Sequence, residues 1–257
     1  MKIEFDPKTF IENAKVIENT EELAGFFARA QSEDIVAVDI ESAGFYRYYS
    51  RVNLIQIATR SEAAIIDPQK INDFSPFQQF ATKSSCLWVF HGGDYDISML
   101  ARDLEIYIPV MFDTRKAAEL LGMHELGLRS LTEKYLGFTL DKRLQRCDWS
   151  RRPLTTAMKE YGLLDAVCLV PIYDAMAGEL KDLGRYEWLM EECEYIARQA
   201  REVQPHEQDE FAWNAGLGVE IPVMSWLSLT VDARYVFLDL DLDVDENARF
   251  LATVQPD

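Results

Sequence analysis

The chain has 257 residues, 48% of them hydrophobic, and a formal net charge of −18. That length and apolar share suffice for a sizeable core spread over one or two domains, and they exclude wholesale disorder. The charge argues against a general nucleic-acid-binding surface, and no apolar run approaches the roughly 18 residues that a membrane helix needs.

Residues 20–31 have helical spacing, with Leu23, Phe26 and Phe27 as apolar positions behind a cap at Thr20, Glu21 and Glu22. Residues 35–41 read as a buried strand ending in acid. Residues 53–59 and 63–67 read as two more strands, joined by the polar turn Arg60-Ser61-Glu62, which suggests a meander. A helix over 77–81, a fourth strand over 87–90, a helix over 95–103 and a short strand over 110–113 follow. Helices over 114–121, 128–135, 154–176 and 185–201 complete the first part. This order predicts an α/β domain, a mixed five-stranded sheet flanked by helices. Composition changes near Pro205, where the apolar period becomes two. Leu217, Val219, Ile221 and Val223 alternate with smaller or polar residues, as do Leu227, Leu229, Val231, Ala233 and Tyr235, and then Leu238, Leu240 and Leu242. The division expected is residues 1–204 as one domain and 205–257 as a short, β-rich, acidic appendage.

Four cysteines, Cys86, Cys147, Cys168 and Cys193, stand far apart and form no CxxC pair. With no basic-then-apolar pattern in the first ten residues, they fit reduced thiols in the cytoplasm. Residues 111–160 hold 10 Lys/Arg against 7 Asp/Glu, whereas residues 187–257 hold 4 against 16. A phosphate-binding face would therefore draw on 111–160. On charge alone, a helical region with solvated cations is the simpler account.

Certain acids stand where chemistry could use them. Asp39 and Glu41 close the first strand at i and i+2 and so face the same way. A divalent cation is the usual remedy for two such charges, although a solvated strand end would look the same. Asp96 opens the helix after the fourth strand, where ordinary capping also favours a carboxylate. Tyr161 and Asp165, at i and i+4, share one helix face, as would a packed tyrosine beside a surface acid.

Taken in order, Val38-Asp39-Ile40-Glu41, Phe90-His91-Gly92-Gly93-Asp94-Tyr95-Asp96-Ile97 and Tyr161-Gly162-Leu163-Leu164-Asp165 resemble the three motifs of the DEDD 3′-5′ exonuclease superfamily. The tyrosine places the resemblance in the DEDDy subclass, nearest to the catalytic domain of ribonuclease D and of its eukaryotic exosome-associated relatives. Asn53-Leu54-Ile55-Gln56-Ile57, Phe112-Asp113-Thr114, Leu128-Arg129-Ser130-Leu131 and the run Asp148 to Leu154 resemble the segments between the motifs. The likeness covers roughly residues 15–200. It implies a ribonuclease-H-like fold and a metal-dependent exonuclease that releases nucleoside 5′-monophosphates from single-stranded RNA 3′ ends, in RNA processing or turnover. It also implies two divalent ions, Mg²⁺ or Mn²⁺. Asp39 would bridge them, Glu41 and Asp165 would complete the water-activating site, Asp96 would hold the second ion through its water shell, and Tyr161 would orient the attacking water. In the second motif Asp96, with Ile97 next and Leu100 four on, fits the family's acid; Asp94 is then a loop acid or cap, and His91 is structural. His124 and His206 read as surface residues.

Arg151 and Arg152 could grip phosphates or pair with nearby acids. Lys142, Arg143 and Arg146 are further candidates for phosphate contact. Tyr46, with Tyr48 and Tyr49, could stack on bases or pack as a loop over the sheet. Bacterial ribonuclease D continues into helical HRDC domains, which residues 206–257 do not resemble; the segment reads instead as a β appendage, an oligomerisation element or a tail foreign to the family. Two other functions remain open at this point: a proofreading or repair exonuclease acting on DNA, and a non-catalytic nucleic-acid-binding module.

Overall fold

The computed structural model describes residues 3–42, 51–141 and 143–202 with their side chains, and the backbone of strands within residues 215–254. The chain divides into two compact units, Met1–His206 and Glu207–Asp257.

The first unit runs α1 (Lys8–Asn13), β1 (Lys15–Ile17), α2 (Thr20–Ala30), β2 (Ile35–Ser42), β3 (Val52–Ala58), β4 (Ala63–Ile66), α3 (Ser75–Lys83), β5 (Leu87–Phe90), α4 (Asp94–Leu104), β6 (Met111–Asp113), α5 (Thr114–Leu120) and α6 (Leu128–Leu131). A π-helical turn, Thr132–Leu136, extends α6. The long α7 (Thr156–Asp182) and α8 (Tyr186–Arg201) complete the unit. The sheet has six strands in the order β1-β4-β3-β2-β5-β6, not the five expected. The extra strand is β1, which pairs in parallel with β4 (Val16 opposite Ile65). It has three residues and only Ile17 is buried, too little for a period to register. Only β3 runs against its neighbours, pairing antiparallel with both β2 and β4, while β2, β5 and β6 are mutually parallel.

Local chemistry sets the ends of the elements. Asn19 caps α2, its side chain accepting the Glu22 N–H at 2.9 Å, a contact that contributes about 1 kcal/mol. Thr155 caps α7 in the same way at Met158. That helix is 27 residues long and contains Pro171; it packs against β2, β3, β4 and β5. The opposite face of the sheet is aromatic. Trp88 stands level with Val36, out of phase with Asp39, and so points away from α7. It stacks on Phe77 at 5.7 Å between ring centres, and Phe27 meets Phe77 at 4.6 Å. The sheet is thus covered on both faces, which explains why β3 and β4 are buried along their whole length.

In the second unit, β7 (Ala215–Met224), β8 (Leu227–Ala233) and β9 (Phe250–Val254) form an antiparallel sheet in the order β8-β7-β9. Leu217 pairs with Ala233, Val219 with Val231 and Ile221 with Leu229, so the first two alternating runs are hairpin partners. The third run, 238–243, lies outside the described residues, and β9 lies in a stretch not read as a strand. Among the described residues no helix is long and apolar enough to cross a membrane.

Candidate functional site

The carboxyl ends of β2, β5 and β6 lie side by side, the edge at which open α/β sheets place their ligands. Asp39 and Glu41 are half-buried at the end of β2. Beyond β5 the chain turns sharply through His91, Gly92 and Gly93 into α4. Gly92 has φ +67°, and a Cβ on Gly93 would overlap the Phe90 side chain, so only glycine fits there. The turn puts Asp94 and Asp96 in the first turn of α4. Neither caps it, because the capping position is Gly93, which makes no side-chain bond. Asp94 is exposed and Asp96 half-buried.

Helix α7 crosses the same edge and brings Asp165 to the strand end. Single carboxylate oxygens of Asp39, Glu41 and Asp165 lie within 4.8 Å of one another. Burial is the main cause that pushes the Asp39 carboxyl up to about 7, opposed by a backbone bond at Ile40. Glu41 is pushed up to about 10, first by burial and then by the charges of Asp39, Asp165 and Asp96. Asp96 lies well above the usual carboxylate range for the same first reason, followed by the charges of Asp39, Asp113 and Asp94. The Tyr161 phenol is raised by burial, then by Asp165, Glu41 and Asp39, so it is protonated at neutral pH. Four acids and a phenol therefore share one low-dielectric space in which the acids cannot all ionise unaided. An all-oxygen, carboxylate-rich set of this spacing suits a hard divalent cation such as Mg²⁺ or Mn²⁺ and lacks the His or Cys ligands that zinc favours.

Neighbouring residues fix this edge. Asp113, 1% exposed at the end of β6, accepts four backbone N–H groups: Gly92 (3.0 Å) and Arg115 (2.8 Å) and Lys116 (3.1 Å) at Oδ1, and Gly93 (2.8 Å) at Oδ2. It ties the turn before Asp96 to the start of α5. His91 Nδ1 lies 2.9 Å from the Thr114 hydroxyl, which donates to the Phe90 carbonyl. Trp149 is buried with its ring 6.0 Å from that of Tyr161.

The sequence-derived phosphate contacts separate. Arg152 pairs with an acid. Its Nε and Nη2 donate to Asp67 at 2.6 and 2.7 Å, Nη2 also donates to the Asn53 carbonyl at 2.9 Å, and Nη1 to the Trp149 carbonyl at 2.8 Å. It anchors the Trp149 segment to the sheet. Arg143 bonds Asp141 at 2.6 Å and is otherwise solvent-facing. Arg146 and Arg151 are exposed, as is His124, and Arg151 has no ion pair among the described residues. Lys142, Tyr46, Tyr48, Tyr49 and His206 lie outside the described residues. Much of the positive charge of 111–160 is matched locally, as Arg129–Glu133 and Lys134–Glu179 show. A cleft of about 790 Å³ opens beside the acids, with Lys8, Ile11, Leu140, Arg143, Tyr161 and Asp165 in its wall. Lys8 had no sequence signal, since α1 is a single short helix.

Residues 14–181 match the family model of 3′-5′ exonucleases. The chain belongs to that family. Among curated exonuclease relatives, ribonuclease D of Zymomonas mobilis is 34% identical over 185 residues, which are 71% of this chain and 47% of that protein. The exosome complex exonuclease RRP6 of Saccharomyces cerevisiae is 30% identical over 183 residues, 71% of this chain and 25% of that protein. The crystal structure of Escherichia coli RNase D, an exoribonuclease involved in structured RNA processing, superposes with a TM-score of 0.69 at 29% identity, covering 74% of this chain and 51% of that one. The fold is thus ribonuclease-H-like, with a six-stranded mixed sheet. The chain spans about half the length of the ribonuclease D relatives it matches, or less.

Proposed function

We propose that this exonuclease hydrolyses the terminal phosphodiester of single-stranded RNA from the 3′ end, releasing nucleoside 5′-monophosphates, in RNA processing or turnover. The observation that carries the reading is the convergence of Asp39, Glu41 and Asp165 within 4.8 Å, with Asp96 and Tyr161 close enough to share their electrostatics. Asp39, Glu41, Asp96 and Asp165 would hold two divalent ions, Mg²⁺ or Mn²⁺, which would supply water activation and stabilisation of the leaving oxygen. Tyr161 keeps its proton and so can donate a hydrogen bond that orients the attacking water, its ring braced by Trp149. The cleft beside Tyr161 receives the 3′ end. Lys8 and Arg143, in the wall of that cleft, would meet phosphate, and exposed Arg151 would add a further contact, whereas Arg152 acts by anchoring the Trp149 segment.

The exonuclease unit comprises residues 1–204, and residues 205–257 are an acidic appendage outside it. RNA as substrate is supported by the ribonuclease names of relatives and of the Escherichia coli structure. The deciding experiment is metal-dependent release of mononucleotides from single-stranded RNA and DNA side by side. Faster release from RNA is expected. Equal or greater activity on DNA would replace RNA as the substrate, and no release from either would remove the activity.

A further inference from the structure

Gln56 is a buried polar residue for which the chemistry above has no use. It lies within β3, fully buried in a strand that is otherwise apolar apart from Asn53. Both ends of its amide, Nε2 and Oε1, are buried without a hydrogen-bond partner among the described residues. Such a group is costly to bury. Other buried polar side chains of the sheet region are satisfied: Asn53 by Gln69 and the Arg51 carbonyl, Asp67 by Arg152, and Asp113 by four N–H groups.

Its place is specific. Gln56 stands directly opposite Asp39 in the antiparallel β2–β3 pair. Opposed residues of such a pair share a face, so its side chain points with Asp39 toward α7. The helix is pared back to receive it. A Cβ at Gly162 would lie 2.7 Å from Nε2 and 3.1 Å from Cγ of Gln56. Gly162 follows Tyr161 and stands three positions before Asp165. The amide therefore sits between the strand that carries Asp39 and Glu41 and the helical turn that carries Tyr161 and Asp165.

The amide supplies what the acids lack. Ionised Asp39, Glu41, Asp96 and Asp165 offer acceptors only. A cation covers some of their oxygens, and the remaining lone pairs need N–H donors that hold each carboxylate in a ligating orientation. We propose that Gln56 is a positioning residue of the acidic centre, its side-chain amide donating to the Asp39 carboxylate when Asp39 holds a divalent cation. The inference rests on the metal-binding part of the proposed function and is independent of which nucleic acid is cut.

The test is Mn²⁺ binding to the full-length chain, measured by calorimetry, together with the rise in melting temperature that Mn²⁺ produces. Gln56→Met keeps the shape and removes the amide. Its metal-free melting temperature should equal or exceed that of the unaltered chain, while its Kd for Mn²⁺ rises roughly 10- to 100-fold. A merely tolerated buried amide would give the same stability change with an unchanged Kd, and that result overturns the proposal. Gly162→Ala gives an independent handle, because the new methyl displaces the amide. It should weaken Mn²⁺ binding in the unaltered chain and add little in a Gln56→Ala background. Losses that simply add would show that the two act separately, and would also overturn it. Unaltered protein that binds Mn²⁺ yet releases no mononucleotides would remove the exonuclease reading and leave the Gln56 comparison intact. Unaltered protein that binds no Mn²⁺ would remove both.

Discussion

Two kinds of acid stand at the ends of strands β2, β4 and β6 of one sheet. Asp113 and Asp67, each 1% exposed, are fully provided for: the first by four backbone N–H groups, the second by the two-pronged Arg152 guanidinium. Half-buried Asp39 and Glu41 instead face other acids, and the buried amide of Gln56, opposite Asp39, bonds to neither. The first pair has the chemistry of structural fasteners. The second has that of a site waiting for positive charge. Burial alone does not mark a functional acid; what surrounds its oxygens does.

That contrast yields graded expectations. The largest effect should come from Asp39→Asn, which removes a proposed ligand. Turnover should fall by about 10³-fold or more, several kcal/mol of barrier, while the metal-free protein keeps or gains stability as repulsion is relieved. Chelation should silence the unaltered protein to the same extent. Undiminished mononucleotide release by Asp39→Asn would dissolve the distinction between the two kinds of acid. Next, Arg152→Ala should cost about 3–5 kcal/mol in denaturant unfolding, because Asp67 is left charged and buried. A loss below about 1 kcal/mol would show that the pair is not a fastener. Tyr161→Phe should lower turnover 10- to 100-fold, about 1.4–2.7 kcal/mol of barrier, with Mn²⁺ affinity unchanged. Equal rates would make the phenol a packing group only.

A smaller effect concerns pH. The folded-state pKa of Asp39 is about 7 against an ordinary 3.8, so the metal-free folded chain binds more protons than the unfolded chain between those values. Stability from this source is greatest below about pH 4 and is lost as pH rises toward 7. Glu41, raised to about 10, carries the same trend higher. Melting temperatures of chelated protein should fall from pH 5 to 8, and Mg²⁺ should flatten the slope; a flat profile without metal would show that the acids do not repel. The least change is expected from ending the chain at Gln204. Metal-dependent degradation should persist, with RNA affinity equal or tighter at low salt because a strongly acidic segment is gone. A folded but inactive shortened protein would bring the appendage into the active unit.

What the sequence made legible follows the length of each signal. Long apolar periods placed β2, β3, β4, β5 and α7, and residue order placed the three acidic motifs along them. β1 and α1 were missed because three and six residues carry no period. Helix 128–135 was read as one element, whereas the structure divides it into α6 and a π-helical turn ending at Gly137. Arg152 could not be assigned from sequence because its partner, Asp67, is remote in the chain. Gln56 did leave a trace, an amide between the apolar pairs Leu54-Ile55 and Ile57-Ala58, a polar residue placed where burial is expensive. Only the register opposite Asp39 and the cut-away at Gly162 gave that trace a meaning.

The long separation in sequence between Asp39 and Asp165 bears on the order of synthesis. β2 is made well before α7, which carries the acid that completes the cluster and lies near the end of the first unit. Contacts of such range form late in folding, since the intervening loop must close first. On the proposed reading, a growing chain beside its own message carries Asp39 and Glu41 without their partner and cannot cut. Stalled nascent chains of increasing length, assayed for RNA release, should remain silent until α7 has emerged. The topology would then act as a timer that withholds the nuclease until α7 has been made.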